Sequence, residues 1–324
     1  MHMSRFSIRN FFSAVLALSG LLVLTTSLAQ DFPNRPVTIV AAGAPGLPVD
    51  IVARLLAPAM AQSLGQAVVV ENKLGAGSLI GYEYAAKRPP DGYTIASVSV
   101  VQLASLPVAV KSLRFDPLKD LPPFIGVAEG KVFLCATTNV PWKTFKEMVV
   151  YAKANPGKVN FGVSAPNTVL LAHALLRDLA VDGVHVPYSS ANPLILDLIA
   201  GNVHMAFIGE SAVPPIASRL RIIASSGARR SPQFPDVPTF TELGISNQPG
   251  LGYSFNAPAG TPRDVVTKLN RAVAFALDQP DNKARLAQMQ LEVTNVGGEA
   301  ANKDFLQQAK VFSDVAARVG YVPQ

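Results

Sequence analysis

The chain has 324 residues, 49% of them apolar and 15% charged, with a single cysteine and a formal net charge of +6. So much apolar chain is enough for two cores and excludes a disordered or disulfide-stapled protein. The charge is mild, and no basic block or basic–aromatic interleaving is present, which excludes a nucleic-acid-binding surface.

In chain order, Arg5 and Arg9 precede an almost unbroken apolar run over 11–24, and Ser27-Leu28-Ala29 is a small-x-small cleavage signature before Gln30. Residues 1–29 therefore read as a cleavable secretory signal peptide. No Cys follows the cut, so a lipid anchor is not expected there. Cleavage removes two arginines and no acids, leaving 26 basic against 22 acidic side chains. Cys135, alone in the apolar run KVFLCAT, reads as a core residue.

The stretch 36–64 organises the mature chain. Val37, Ile39 and Val40 form a β-branched run of the kind buried in a parallel sheet, and Ile51, Val52, Leu55, Leu56, Ala59 and Met60 recur at helical spacing. Between them lies the loop AGAPGLPVD, with Pro48 suited to the first helical position and Asp50 in the first turn, where its charge complements the helix dipole. Such a loop offers unpaired backbone N–H groups, so Ala44, Pro45, Gly46, Leu47, Val49 and Asp50 are candidate ligand-binding residues for a small anion. Pro58 within the helix predicts a local kink.

The alternation continues. A strand is expected over 67–70, a turn in ENKLGAGSLIG, a helix stopped at Pro89-Pro90, and a strand over 93–98. The stretch 124–137 is a long extended run broken at Glu129-Gly130-Lys131. Thr144 with Glu147 forms a capping box before a helix closed by Asn155-Pro156-Gly157. Strands over 159–163, 184–188, 205–208 and 220–225 alternate with helices, one of them starting at Asn192-Pro193 and ending at Gly201. The polar stretch 229–252 then reads as a long surface return. A helix from Thr261-Pro262 places Val265, Val266, Leu269, Ala272 and Val273 on one face and ends at Pro280. The last, over 301–319, aligns Phe305, Ala309, Phe312 and Ala316. The economical layout is two α/β domains, the second inserted in the first: 30–127, 128–252 and 253–324, with crossings near Val127 and Tyr253 that act as a hinge. The strand C-termini of both domains then face one cleft, which adds Ser97, Ser99, Ser164, Ala165, Asn167, Thr168, Tyr188, Ser189, Ile208 and Gly209 to the candidate ligand-binding residues.

Enzyme motifs are incomplete. Gly162-Val163-Ser164-Ala165-Pro166 and Gly209-Glu210-Ser211-Ala212-Val213 each miss the last glycine of a nucleophile elbow, so a secreted α/β hydrolase acting on a small ester is only the alternative reading. His173, His185 and His204 lack metal-motif spacing. Gly75, Gly77 and Gly81 imitate a dinucleotide loop one residue out of register, with no acid at the end of the next strand. No cofactor, metal or catalytic residue is expected.

The stretches PVTIV…APG…DIVARLLA, VVVENKLGAGSLIGYEYAAKRPPDGYT, PGKVNFG, HVPY, RSPQFPDVPTFTELG and APAGTP, in this order, resemble the Bug receptor family. Its members are the extracytoplasmic solute-binding subunits of tripartite tricarboxylate transporters. The resemblance implies a two-domain type II periplasmic-binding-protein fold of the Venus-flytrap kind and a periplasmic location. It also implies a small carboxylate ligand held by backbone N–H groups, and membrane permease subunits as partners; a monomer is expected, and a ligand-sensing receptor without a permease is a further alternative. Departures fall in the cleft. The family has two glycines and then hydroxyl residues before the aspartate, against Gly46-Leu47-Pro48-Val49-Asp50 here. Its middle loop is richer in Gly, Ser and Asn than Ser164-Ala165-Pro166-Asn167-Thr168; a Lys-Gly pair is replaced by Ser189-Ser190, and an Asp-Asn pair by Ile208-Gly209. With fewer polar partners in the first loop, a monocarboxylate with an apolar body is the expected ligand.

Overall fold

Short β-branched runs between amphipathic segments become strands and helices in the order their periods dictate. The computed structural model describes residues 31–164, 166–227, 229–245 and 250–323. Residues Arg35–Gln324 form one compact unit, and Met1–Asn34 is a separate one, of which 31–34 are described. The reading of 1–29 as a signal peptide lies outside the described residues.

The first half runs β1 (Val37–Ala41), α1 (Pro48–Leu64), β2 (Val68–Asn72), a short 3₁₀ turn (Ala76–Ser78), α2 (Leu79–Ala86), β3 (Thr94–Ser99), α3 (Val100–Ala109), α4 (Pro117–Asp120) and β4 (Pro123–Gly130). After Lys131 alone come β5 (Val132–Thr137), α5 (Phe145–Ala154), β6 (Val159–Val163), α6 (Pro166–Asp178), β7 (Gly183–Pro187), α7 (Ala191–Ala200), β8 (Met205–Gly209) and β9 (Leu220–Ser225). The chain closes with β10 (Leu251–Asn256), α8 (Arg263–Asp278), α9 (Pro280–Gln288), β11 (Glu292–Gly297) and α10 (Gly298–Val319). The first sheet has six strands in the order β11-β4-β10-β3-β1-β2, and the second has five, β7-β6-β8-β5-β9. Both are mixed. Parallel neighbours (β1 with β2 and β3, β6 with β7 and β8) sit beside antiparallel ones, because the strands that cross between sheets, β4, β5 and β10, run against their neighbours.

The single long extended run over 124–137 is thus two strands in different sheets, separated at Lys131. Within the return expected over 229–252, the described residues 229–245 are pinned rather than superficial. Phe240 is 2% exposed and packs edge-on against Phe145 and Phe207, while Thr239 and Ser231 are buried. The first helix also buries a different arc from the expected one. Ile51 is exposed and Leu55 and Ala59 are half-buried, whereas Ala53 and Ala57 are buried, because α1 packs on α8 as well as on the sheet. It runs on through Pro58.

Two helices and a strand have no clear signal in the sequence. Residues 100–109 form α3, whose apolar residues are buried almost all round, so no amphipathic period marks it. Pro280 opens α9 instead of only ending α8, and β11 is an edge strand with a mixed sequence. The capping box holds: Thr144 Oγ1 accepts from Glu147 N–H at 3.2 Å, and Glu147 Oε2 accepts from Thr144 N–H at 3.3 Å. In α10, Phe305, Ala309, Phe312 and Ala316 are buried as a face. Cys135 is fully buried, and burial pushes its thiol well above the usual range.

Candidate functional site

The parallel register of β1 and β2 pairs Ala41 with Asn72, so the loop that leaves β1 starts beside the Asn72 side chain. Asn72 Nδ2 donates to Gly43 O at 3.0 Å and to Asp50 Oδ1 at 2.8 Å. Gly46 N–H donates to Asp50 Oδ2 at 2.9 Å, and Arg54 bridges the pair, its Nε to Asp50 Oδ1 at 2.9 Å and its Nη2 to Asn72 Oδ1 at 2.7 Å. Burial alone would raise the Asp50 carboxyl. The bonds from Gly46 and Asn72 and the Arg54 guanidinium outweigh it and hold this carboxyl below its ordinary value. Asp50 is 3% exposed, so its charge clamps the loop from inside and does not reach outward.

The clamp decides which donors remain. Leu47 N–H goes to Ala44 O, and Asp50 and Ile51 N–H go to Leu47 O. Pro45 and Pro48 have no N–H. Ser97 is buried and gives its hydroxyl proton to Val49 O at 2.7 Å. Among the described residues, the N–H groups of Ala44 and Val49 have no protein acceptor. Ala44, Pro45, Gly46 and Leu47 are exposed, with Leu47 at 47%, and the Leu47 side chain folds back over Gly43. Gly46, at φ +85°, makes the left-handed turn. The nearby cations are already matched: Arg54 with Asp50, and Lys73 with Glu71.

A second loop, 73–80, lies against the first. A Cβ on Gly81 would stand 2.7 Å from Ala42 Cα, so only glycine allows the approach. A third joins β3 to α3. Ser99 N–H donates to the fully buried Tyr82 hydroxyl at 3.3 Å, and Gln102 Oε1 accepts from Tyr82 and from Ser78 Oγ, each at 3.4 Å. Sequence reading selects Ser97 and Ser99 but misses Asn72, Arg54, Tyr82 and Gln102. Their roles emerge only from the β1–β2 register, which brings Asn72 to Asp50, and from the packing that brings Tyr82 to Ser99 and Gln102.

In the second half, α6 packs against α3 and α10, which places the helix after β6 beside the helix after β3. Arg318 of α10 pairs with Asp178 of α6 at 2.7 Å. Ser164 N–H donates to Thr168 Oγ1 at 3.4 Å, and Asn167 is 9% exposed. Ala165 lies outside the described residues. Tyr188 N–H bonds Val163 O, and its hydroxyl is committed to Asp197 at 2.8 Å. Ser189 is exposed. Ile208 is core, clustered with Phe133, Leu194 and Leu198, and Gly209 is half-buried at the end of β8. Asp50, Ser97, Tyr188 and Ile208 therefore have their side chains engaged within the protein, whereas Ala44, Val49 and Ser99 keep unmatched donors.

None of the residues expected from sequence lines a cavity of about 650 Å³ at the crossing between the sheets. Its wall mixes Glu129, Glu292 and Asp304 with Lys131 and Arg229. Such a wall has no donor excess for an anion, so the loops at the strand ends are the better candidate. Among the described residues no group of three or more His, Cys, Asp or Glu could hold a metal.

The family model described as "Tripartite tricarboxylate transporter family receptor" matches residues 52–320. A Cupriavidus necator protein, "UPF0065 protein in gbd 5'region", is 35% identical over 299 residues, covering 90% of each chain. Among solved structures, periplasmic binding protein BugD aligns with TM-score 0.75 and 29% identity over 90% of this chain and 100% of its own. R. palustris Rpa4515 with adipate gives 0.78 and 28% over 91% and 100%. MatC (Rpa3494) from Rhodopseudomonas palustris with bound malate gives 0.75 and 30% over 88% and 99%.

Proposed function

Because the chain belongs to the receptor family of tripartite tricarboxylate transporters, we propose that it captures a small carboxylate between its two sheets and delivers it, chemically unchanged, to membrane permease subunits. The observation that carries this reading is the clamped loop after β1. Asp50, Asn72 and Arg54 fix its backbone and leave the N–H groups of Ala44 and Val49 unmatched at the start of α1. Two oriented donors at a helix N-terminus suit one carboxylate and cost nothing to organise on binding. The adipate and malate bound to relatives of the same fold support this ligand class.

The two halves act as domains, 30–127 with 253–324 and 128–252, that close on the ligand about the crossings near Val127 and Tyr253. The receptor works as a monomer in the periplasm after losing residues 1–29. Mass spectrometry of protein purified natively from the periplasmic fraction tests this. A mature chain starting near Gln30 with one small carboxylic acid per protein is expected; retention of 1–29 in a membrane pellet, or a bound species without a carboxyl group, contradicts it.

A further inference from the structure

The last helix does not stay with the first half. Helix α10 has 22 residues, a reach of about 33 Å. It starts against β4, where a Cβ on Gly298 would stand 2.8 Å from Phe124 O. Ala301, Asp304 and Gln308 then line the cavity at the crossing, and farther on the helix packs on α6 of the second half, with Arg318 paired to Asp178. The chain thus joins the halves a third time, through a helix. What ends this helix also aims the tail. Gly320, at φ +64°, takes the left-handed turn, Tyr321 N–H returns to Ala316 O at 2.9 Å, and Gly320 N–H returns to Ala317 O at 3.4 Å. That closure lays Tyr321 and Val322 beside the ends of β6 and β7.

The seat beneath the tail is a cavity of about 380 Å³, walled by Val163, Val169 and Pro187 of the second half and by Val319, Tyr321 and Val322. His173 of α6 and His185 of β7 also line it, their rings edge-on with centroids 3.8 Å apart. His185 Nε2 is buried without a partner among the described residues. No acid lines the seat, and Tyr321 is the one other titratable group in its wall. On α6, Asp178 is taken by Arg318 of α10, and Arg177 is a further cation; on α10, Asp314 is taken by Lys310. Helix α3 carries no charged residue, and Lys158 and Asp182 flank β6 and β7 at the ends away from the seat. A charged imidazolium pair here has neither a counter-charge nor free access to water. Burial accordingly lowers both rings below their ordinary value, and at His185, brought to about 4, the His173 charge adds to it.

We infer that residues 319–322 are a pH-sensitive catch between the halves, seated while His173 and His185 are neutral and released when they are protonated, and that release alters how readily the halves close on a ligand. The effect on closure rests on the proposed receptor function; release of the tail does not. Of the seat's walls, the tail is the one that gives, since Val322 is 76% exposed whereas Val163 is core. The sign follows from the lowered rings: the seated state is fully favoured above their ordinary 6.5 and loses ground as pH falls toward 4.

Hydrogen exchange read by mass spectrometry at pH 7 and pH 4, corrected for the intrinsic pH dependence, tests the release. It compares segment 316–323 with β1 in the wild type, in the double variant His173→Gln, His185→Gln, and in His173→Phe, which keeps a ring against His185. Wild-type exchange of 316–323 should rise at least about tenfold in acid while β1 stays unchanged. The rise should be under about twofold in the double variant and at least about threefold smaller than wild type in His173→Phe. Calorimetric titration with hexanoate, benzoate, adipate and malate at both pH values then tests the effect on closure. For the acid that the wild type binds best, the affinity ratio of wild type to double variant, in which the ligand's own titration cancels, should change at least about threefold between the two. No rise in the wild-type tail, an equal rise in β1, or the same rise in both variants overturns the catch. The expected exchange with a constant affinity ratio overturns its effect on closure. A wild type that binds none of the four acids overturns the receptor reading, while the exchange result still decides the release.

Discussion

Replacing Asp50 by Asn keeps the shape of the clamp and removes its charge. The carboxylate accepts from Gly46 N–H, Asn72 Nδ2 and Arg54 Nε at 2.8–2.9 Å. An amide has one acceptor oxygen, so at least one of these donors meets an N–H₂ group and goes unmatched. Hydrogen bonds to a charged group contribute about 1.5–3 kcal/mol each. The Arg54 share is discounted, since its side chain is 51% exposed and such pairs are worth about 0–1 kcal/mol. The expected loss is therefore about 2–3 kcal/mol, or roughly 4–12 °C in melting temperature for a chain of this size. Urea titration of both proteins across pH checks it. The folded Asp50 carboxyl lies below its ordinary value of 3.8, so its stabilisation is present above about pH 4 and is lost as pH falls through the lower folded value. The gap between wild type and Asp50→Asn should be flat from pH 7 to about 4 and narrow below. A gap under about 0.5 kcal/mol at pH 7, or one that persists unchanged in acid, refutes the clamp.

Phe240→Ala should cost about 3–5 kcal/mol in urea titration, because the ring is enclosed by Phe145 and Phe207; a loss under about 1 kcal/mol would mean that the return is not anchored there. Burial, and then the neighbouring His173 charge, lower His185 to about 4, so its contribution to stability is intact above its ordinary 6.5 and is lost as pH falls toward 4. Thermal scans over that window should show the drop, shallower in His185→Gln; identical slopes contradict it. Leu47→Gly, Pro48→Ser, Val49→Thr should shift calorimetric preference from acids with an apolar body toward succinate and citrate. Tight wild-type binding of citrate, unimproved in the variant, would sink that expectation.

What is legible in the sequence is whatever depends on near neighbours along the chain. The β-branched run 37–40, the Thr144–Glu147 cap and the Phe305-Ala309-Phe312-Ala316 stripe are local signals, and each folds as its period or spacing dictates. Residues 100–109 defeat such reading, since a helix buried nearly all round looks like a strand, and Pro107 argues against a helix. Pro280 has two meanings, terminator and first residue, that only packing separates. At the site, the loop 42–50 and the serines after β3 are visible by type. The partners that orient them are not: Asn72 reaches Asp50 from 22 residues away through the β1–β2 register, and Tyr82 reaches Ser99 from 17.

Carboxylate capture without turnover is tested by calorimetric titration of the mature protein with a panel of small carboxylic acids, followed by recovery and mass analysis of the ligand. Saturable binding of one acid per chain is expected, weakened when its carboxylate is converted to an amide, with the acid recovered intact. Conversion of the ligand to a product, or equal affinity for acid and amide, would contradict it.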